Sequence, residues 1–174
     1  MEVPRLYWVN KFAEGNLAIM AAPRPEDPLD EVLLGWKGEG VDIVVSLVEQ
    51  PEMPGLMEAE RALCEECSLD FLWFPIRDKT APTSRDAISA LAGQLANAIS
   101  TGKSVAIHCR AGIGRSAVLA ACVLIHLDID PAIALDMIAE ARGTEVPETE
   151  AQRQWVLGFS RAIRPPVSPG PFAS

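Results

Sequence analysis

The chain has 174 residues, 49% of them hydrophobic, which suits one globular domain with a substantial core. Its 15 Lys and Arg against 24 Asp and Glu give a formal net charge of −9, which argues against nucleic acids and anionic membranes as general partners. The longest apolar run, residues 117–125, is about half of what a bilayer requires and predicts a buried helix. The N-terminal residues lack the basic start and apolar core of a signal peptide, so we expect a cytoplasmic protein.

Strands and helices alternate along the first half of the chain. The pattern predicts a strand over 15–20, a helix over 28–40 that stops at Gly38, a strand over 41–49, a helix over 54–69 and a strand over 70–76. The segment 41–49 is a continuous β-branched run, as expected of a strand that is buried on both faces.

The second half continues the alternation. The predicted elements are a helix over 83–102, a strand over 103–109, an apolar helix from about Arg115, a helix over 130–143 and a last helix over 149–163. Thr83 is predicted to cap the first of these helices and Gly102 to end it. Asp130 as N-cap, Pro131 in the first helical position and Gly143 at the end bound the helix over 130–143.

Alternating strands and helices predict an α/β domain of three layers, with a mostly parallel central sheet flanked by helices. We assign residues 1–163 to this single domain and expect the Pro-rich tail, 164–174, to be disordered. Because the carboxyl ends of parallel strands meet at one edge, the loops 49–55, 77–83 and 108–116 should lie together there. Ligands bind at that edge in open α/β sheets.

The segment 108–116, "HCRAGIGRS", combines a thiol, two glycines and an arginine in a loop that runs from a strand into a helix. Unpaired N–H groups and the positive end of the helix dipole attract anions there. Gly112 and Gly114 permit backbone conformations that aim several N–H groups at one guest. Arg115 can hold two phosphate oxygens, and Cys109 beneath them is favoured as a thiolate nucleophile. The spacing therefore predicts a phosphate cradle around a reactive cysteine.

Two neighbours of the cysteine have predicted supporting parts. The Ser116 hydroxyl can hydrogen-bond the Cys109 sulfur and stabilise it as a leaving group, although it is also a common residue at a helix start. The imidazole of His108 is expected to help fix the backbone of the loop.

His-Cys-x5-Arg-Ser resembles the signature of the cysteine-dependent protein tyrosine and dual-specificity phosphatases, and the short chain favours the small dual-specificity-like or kinase-associated branch. The resemblance implies hydrolysis of phosphate monoesters through a cysteinyl-phosphate. Cys109 would be the nucleophile and Arg115 would bind the phosphate. The remaining phosphate-binding positions would be the backbone of the loop, Arg110, Ala111, Gly112, Ile113 and Gly114.

The resemblance extends to two further segments. "FPIRDKTAPT" is similar to the family's general-acid loop, which implies that Asp78 protonates the leaving oxygen and later activates water. An alternative for Asp78 is a turn residue without a catalytic role. Asp86 is the other candidate acid, but the helix dipole favours an acidic residue in the first turn of a helix in any case. In "EVPETEAQ", Gln152 matches the residue that orients the attacking water, but Thr149 and Gln152 also form a capping-box pattern.

Several charged and sulfur-containing residues keep two interpretations. Glu49 and Glu52 either line the pocket or face water, while Arg77 and Lys79 attract an anionic substrate or are ordinary exposed bases. Cys64 and Cys67 form a C-x2-C pair that is typical of zinc or redox sites, but the flanking sequence favours two reduced cysteines on a helix.

The favoured function is thus a cysteine-dependent protein phosphatase that acts on a phosphorylated protein or peptide. It is expected to be a monomer and to need no metal or cofactor, because the helix end and Arg115 supply the positive charge. One alternative is a non-catalytic module that binds phosphoproteins. A second is a rhodanese-like sulfurtransferase, whose loop commonly has four residues between cysteine and arginine where this chain has five. Arsenate reduction would need shuttle cysteines that have no clear place in the sequence.

Overall fold

A computed structural model describes residues 4–11 and 14–163; the predicted tail, 164–174, lies outside this range. The strands are β1 (Tyr7–Lys11), β2 (Asn16–Ala21), β3 (Ile43–Ser46), β4 (Asp70–Trp73) and β5 (Ser104–Cys109). The helices are α1 (Leu29–Gly38), α2 (Leu56–Glu66), α3 (Arg85–Ser100), α4 (Arg115–His126), α5 (Pro131–Arg142) and α6 (Glu150–Ile163).

The strands form one sheet in the order β1-β2-β5-β3-β4. Strands β2, β5, β3 and β4 are parallel, and only the edge pair β1–β2 is antiparallel among the described residues. The predicted α/β fold with a mostly parallel sheet is therefore confirmed. Strand β5 lies at the centre and is buried at all six positions, so its carboxyl end at Cys109 is the middle of the ligand-binding edge.

Strand β1 was not predicted. It is a short edge strand whose pairing with β2 shifts register between Trp8 and Asn10, and this irregularity breaks the two-residue alternation that reveals a half-buried strand.

Two hydrophobic cores sandwich the sheet. The larger one packs α3, α4, α5 and α6 against one face and includes almost every residue of α4. The smaller one packs α1 and α2 against the other face, around the fully buried Trp36. Each fully buried large apolar side chain stabilises such a core by about 1.5–3 kcal/mol. The two cores hold the central strand rigidly from both sides.

Helix ends were predicted with mixed success. Asp130 caps α5 through its side chain, Pro131 opens that helix and Gly143 follows it at φ 72°, all as predicted. The predicted cap at Thr83 is wrong: Ser84 accepts the Ala87 N–H at 3.1 Å, because its hydroxyl has the reach from the N-cap to the third helical residue. Helix α1 ends at Gly38 as predicted, although the residue with the left-handed backbone is Gly40, at φ 93°. Gly102 follows the Thr101 cap of α3 at φ 101° and donates its N–H to the Ile99 carbonyl at 3.0 Å, so it ends that helix as predicted.

The cysteines are all free thiols, with Cys64 inside α2 and Cys67 at its C-terminal cap. Within the described ranges, no group of three or more His, Cys, Asp or Glu side chains is arranged to hold a metal ion. None of the helices described has the length and apolar character needed to cross a bilayer.

Candidate active site

The loops that follow β3, β4 and β5 meet at one edge of the sheet, as the sequence predicted. The loops after β4 and β5 line a cavity of about 250 Å³. The residues that line it are Asp78, Lys79, Cys109, Arg110, Ala111, Arg115 and Glu148.

The loop after β5 is shaped by close packing at Gly112. This residue has φ 69°, and a Cβ placed on it would lie 2.5 Å from the carbonyl carbon and oxygen of Met20, so no other residue fits. On the outside of the loop, Arg142 donates hydrogen bonds to the carbonyls of Gly112 at 3.2 Å and Ala111 at 3.3 Å. Because a peptide unit is planar and trans, the N–H groups of the same units point away from Arg142.

The other loop positions differ in exposure. Arg110 and Ala111 are exposed, whereas Ile113 is partly buried and packs against the larger core. A Cβ on Gly114 would lie 2.9 Å from a carboxylate oxygen of Glu148, so the loop touches the segment before α6.

Cys109 ends β5 and is only 2% exposed, yet it lines the cavity. Its Sγ lies 3.3 Å from Oγ of the fully buried Ser116 in the first turn of α4. The sulfur therefore lies beside the positive end of that helix and within hydrogen-bonding distance of a hydroxyl.

Arg115 is 1% exposed and is held by a fork of two short contacts to Glu52. Its Nη1 and Nη2 each lie 2.7 Å from one oxygen of that carboxylate, and Nη1 also donates to the Ile76 carbonyl at 2.8 Å. Glu52 thus belongs to the site through its contacts with Arg115, although it does not itself line the cavity.

The charges at Arg115 reinforce one another. Burial acts to lower the pKa of Arg115, but the hydrogen bonds that it donates to Glu52 and its electrostatic attraction to Cys109 and Asp78 raise that pKa above its ordinary value. In return, the hydrogen bonds of Arg115 hold the pKa of Glu52 below its ordinary value of 4.5, although partial burial opposes this. The guanidinium is a fixed positive charge beside the sulfur.

Asp78 reaches into the same site from the loop after β4. Its Oδ1 lies 3.0 Å from Arg115 Nη2, and its side chain is 37% exposed. It also belongs to a tight turn, in which Thr80 bonds back to the Arg77 carbonyl and Lys79 has φ 58°. Asp78 is therefore a turn residue whose carboxylate also contacts Arg115, and its role as the general acid stays a prediction. The rival Asp86 lies exposed in the first turn of α3.

Gln152 is fully buried at the start of α6. Its Oε1 accepts the Thr149 N–H at 3.1 Å, and its own N–H binds Thr149 Oγ1 at 3.2 Å, so the predicted capping box is present. Its Nε2 donates to the Thr80 carbonyl at 3.0 Å, a contact the sequence did not reveal.

His108 points away from the cavity, because successive side chains of a strand face opposite sides of the sheet. Its Nε2 lies 2.9 Å from one oxygen of Glu60 and 3.2 Å from the other, and both side chains are fully buried. Its Nδ1 has no hydrogen-bond partner among the described residues. The expected contact of the ring with the loop backbone is thus replaced by a contact with α2.

Glu60, Arg142 and Glu148 contact the residues of the site but were not predicted from the sequence. One feature of the sequence could have predicted that Glu60 is buried: it is four residues before Cys64 and so lies on the same face of α2, the face that packs on the sheet. No such feature distinguishes Arg142, because a basic residue in the last turn of a helix is favoured by the dipole alone. Glu148 lies in the irregular segment before α6, where spacing carries no information.

The chain is similar in sequence to known phosphatases. A family model described as "Polymorphic toxin system, DSP-PTPase phosphatase" matches residues 18–128, more than half of the chain. The curated protein "Cyclin-dependent kinase inhibitor 3" of Homo sapiens is 28% identical over 109 residues, which are 62% of this chain but only 49% of that relative. The chain therefore spans about half the length of the curated relative that it matches.

Two solved structures are similar along their whole length. A kinase associated phosphatase, crystallised with its catalytic cysteine replaced by serine, has a TM-score of 0.76 at 21% identity, covering 93% of this chain and 97% of that one. The structure described as Tk-PTP in the active form has a TM-score of 0.69 at 26% identity, covering 91% and 97%. The family match and the shared fold agree with the signature around Cys109, and the chain belongs to the dual-specificity and protein tyrosine phosphatase family.

Proposed function

We propose that this chain hydrolyses phosphate monoesters of proteins through a cysteinyl-phosphate intermediate. The observation that carries the proposal is the convergence of three groups on one cavity: the Cys109 thiol, the buried guanidinium of Arg115 and the carboxylate of Asp78. The domain responsible is residues 1–163.

Substrate binding places the phosphate group in the loop from Arg110 to Gly114, against backbone N–H groups and the start of α4. Glu52 accepts hydrogen bonds from both Nη atoms of Arg115, and no described residue hydrogen-bonds the Nε of Arg115. Nε is therefore available to the phosphate. An arriving phosphate competes with Asp78 for Nη2, because both are anions. Once displaced from the guanidinium, the Asp78 carboxylate takes up a proton from solvent, to which its side chain is 37% exposed, and turns toward the leaving oxygen as a carboxylic acid.

The first chemical step forms a bond between Cys109 Sγ and phosphorus while the phosphorus–oxygen bond of the ester breaks. Asp78 gives its proton to the departing oxygen, so the leaving group departs neutral. Arg115 and the loop N–H groups bear the charge on the phosphoryl oxygens in the transition state.

The second step hydrolyses the intermediate. Asp78, now a carboxylate, accepts a proton from water as the water oxygen attacks phosphorus and the sulfur–phosphorus bond breaks. Ser116 donates a hydrogen bond to the departing thiolate from 3.3 Å. We assign to Gln152 the predicted role of orienting this water through the amide N–H that Thr80 does not use. His108 supports the end of β5 from the opposite face.

A phosphorylated protein is the proposed substrate, since similar chains are described as a kinase associated phosphatase and a cyclin-dependent kinase inhibitor. Lys79 and Arg110 are exposed on the rim of the cavity and would attract a phosphorylated segment. We further propose that the protein acts as a cytoplasmic monomer without metal or cofactor.

The test is phosphate release from p-nitrophenyl phosphate between pH 5 and 8 with a chelator present. The wild type should turn over, and the Cys109→Ser variant should be inactive while still binding phosphate analogues. A wild type without turnover that binds phosphopeptides would make the chain a binding module. Transfer of sulfur from thiosulfate without phosphatase activity would make it a sulfurtransferase.

A further inference from the structure

The general-acid loop is bound to the rest of the protein on both sides of Asp78. Two residues before Asp78, the Ile76 carbonyl accepts a hydrogen bond from Arg115 Nη1 at 2.8 Å. Two residues after it, the Thr80 carbonyl accepts one from Gln152 Nε2 at 3.0 Å. The first anchor belongs to the phosphate site, and the second comes from α6.

The second anchor is independent of the helix cap. The cap uses Gln152 Oε1, which accepts the Thr149 N–H, whereas the anchor uses Nε2. The amide has only one orientation that satisfies both, because Thr149 offers a donor and Thr80 an acceptor. Capping α6 therefore needs no contact with Thr80, and the second contact requires another explanation.

The anchor bears on the position of Asp78 because the loop between the anchors is short and tightly turned. Lys79 has φ 58°, which a residue with a side chain adopts at a cost, and Asp78 is 37% exposed with its Oδ1 on Arg115. Without a restraint at Thr80, the exposed turn is free to swing toward solvent and to carry the carboxyl away from the cavity. A misplacement of about 1 Å is enough to weaken proton transfer strongly.

We propose that Gln152 is a positioning residue for the general acid: through Thr80 it holds Asp78 where it can protonate the leaving oxygen. This inference rests on the proposed function and adds to it a role in the first chemical step. Orienting water, in contrast, would affect only the second step.

The two steps are separable by measuring kcat/KM with two leaving groups. This ratio reports the first step, since loss of the leaving group is irreversible in dilute solution. Phenyl phosphate needs the general acid because phenolate is a poor leaving group, whereas p-nitrophenolate departs with little help. Replacement of Gln152 should therefore lower kcat/KM about tenfold more with phenyl phosphate than with p-nitrophenyl phosphate, part of the 10²–10⁴-fold typical of general acid catalysis.

Two variants keep the test independent of folding. Gln152→Ala removes both contacts, whereas Gln152→Glu keeps the oxygen that caps α6 and removes the donor to Thr80. Thr149→Ala is the matched control, because it weakens the cap and leaves the Thr80 contact in place; it should not change the ratio between the two substrates. Asp78→Asn should show the same pattern, a larger loss of kcat/KM with phenyl phosphate than with p-nitrophenyl phosphate. If Gln152 acts through Asp78, adding Gln152→Ala to this variant should lower kcat/KM little further.

An equal loss with both substrates would overturn the inference and leave Gln152 with a structural part only. An unchanged kcat/KM with a lowered kcat would overturn it in favour of water orientation alone. A wild type that hydrolyses neither substrate would contradict the proposed function itself, which distinguishes the two failures.

Discussion

Two buried pairs of a basic and an acidic side chain lie on opposite sides of the end of β5, and they differ in geometry and in access to the cavity. Arg115 meets Glu52 through two contacts of 2.7 Å and also contacts Asp78, which is 37% exposed at the cavity. His108 meets Glu60 through a single nitrogen, with both side chains fully buried. The outer pair opens to the cavity, and the inner pair is enclosed by the α1–α2 core.

The difference separates a pair that can exchange partners from one that cannot. Arg115 has further partners at hand, so a phosphate can replace Asp78 while Glu52 keeps the guanidinium in place. His108 is the only side chain that hydrogen-bonds Glu60 among the described residues, so removal of one member leaves a polar group without a partner in an apolar core. We expect changes at the outer pair to affect catalysis more than stability, and changes at the inner pair to affect mainly stability.

Thiol reactivity should show the largest contrast between the two sides. Burial and the charge of Glu60 raise the pKa of Cys64 to about 12 from its ordinary value of 9.0, which lowers its thiolate fraction at neutral pH by about 10³. Burial raises the pKa of Cys122 as well. Iodoacetate at pH 7 should therefore alkylate Cys109 and spare both, as peptide mapping of a Cys67→Ser background would reveal. Faster labelling of Cys64 than of Cys109 would contradict this contrast.

Arg115→Lys should lower kcat/KM for p-nitrophenyl phosphate by about 10²–10³, the usual effect of losing one charge-stabilising donor. A lysine cannot reproduce the planar fork that binds Glu52 and phosphate together. The matched change Arg77→Lys, at an exposed position beside the acid, should have little effect. Comparable activity in the two variants would remove Arg115 from the mechanism.

Glu60→Ala should destabilise the fold by about 3 kcal/mol, because it leaves the buried His108 without a hydrogen-bond partner among the described residues. Urea unfolding measures this loss. The control is Glu65→Ala on the exposed side of the same helix, where a change within about 0.5 kcal/mol is expected. Equal stabilities of the two variants would mean that the inner pair is not structural.

The smallest expected effect depends on pH. Because Arg115 holds the pKa of Glu52 below 4.5, the stability contributed by Glu52 is fully present above that pH and is lost as the pH falls through its lowered value. Glu52→Gln should thus lower the free energy of unfolding by about 1.5 kcal/mol at pH 7, as expected for the loss of a charge-assisted hydrogen bond. Urea unfolding at several pH values should show a progressively smaller difference from wild type below pH 4.5. A difference from wild type that grows toward acid pH would have the wrong sign.

Features that depend on residues close together in the chain were predicted from the sequence, and contacts between distant segments were not. The loop from Cys109 to Ser116 was predicted because its chemistry and its strand-to-helix context are local, and Asp78 because a second local segment resembles a known loop. The Glu52 fork, the Glu60–His108 pair and the Thr80 anchor join segments that are distant in the chain. Hydrophobic periodicity does not identify contacts between distant segments, so these contacts could be found only in the folded structure.

The same reasoning explains the error about His108. The sequence places it next to the nucleophile, which suggested a part in the loop, but adjacent residues of a strand face opposite sides. Its partner is Glu60 of α2, and the only indication of this contact in the sequence was an acidic residue on the helix face that packs on the sheet.

The most direct test of the account is to look for phosphate on Cys109. Wild-type protein would be mixed with p-nitrophenyl phosphate, quenched in acid within milliseconds and mapped by mass spectrometry. We predict phosphate on the peptide that carries Cys109 during turnover, and none in the Cys109→Ser variant. Turnover that proceeds with no phosphate on Cys109, or with phosphate on another residue, would contradict the proposed mechanism.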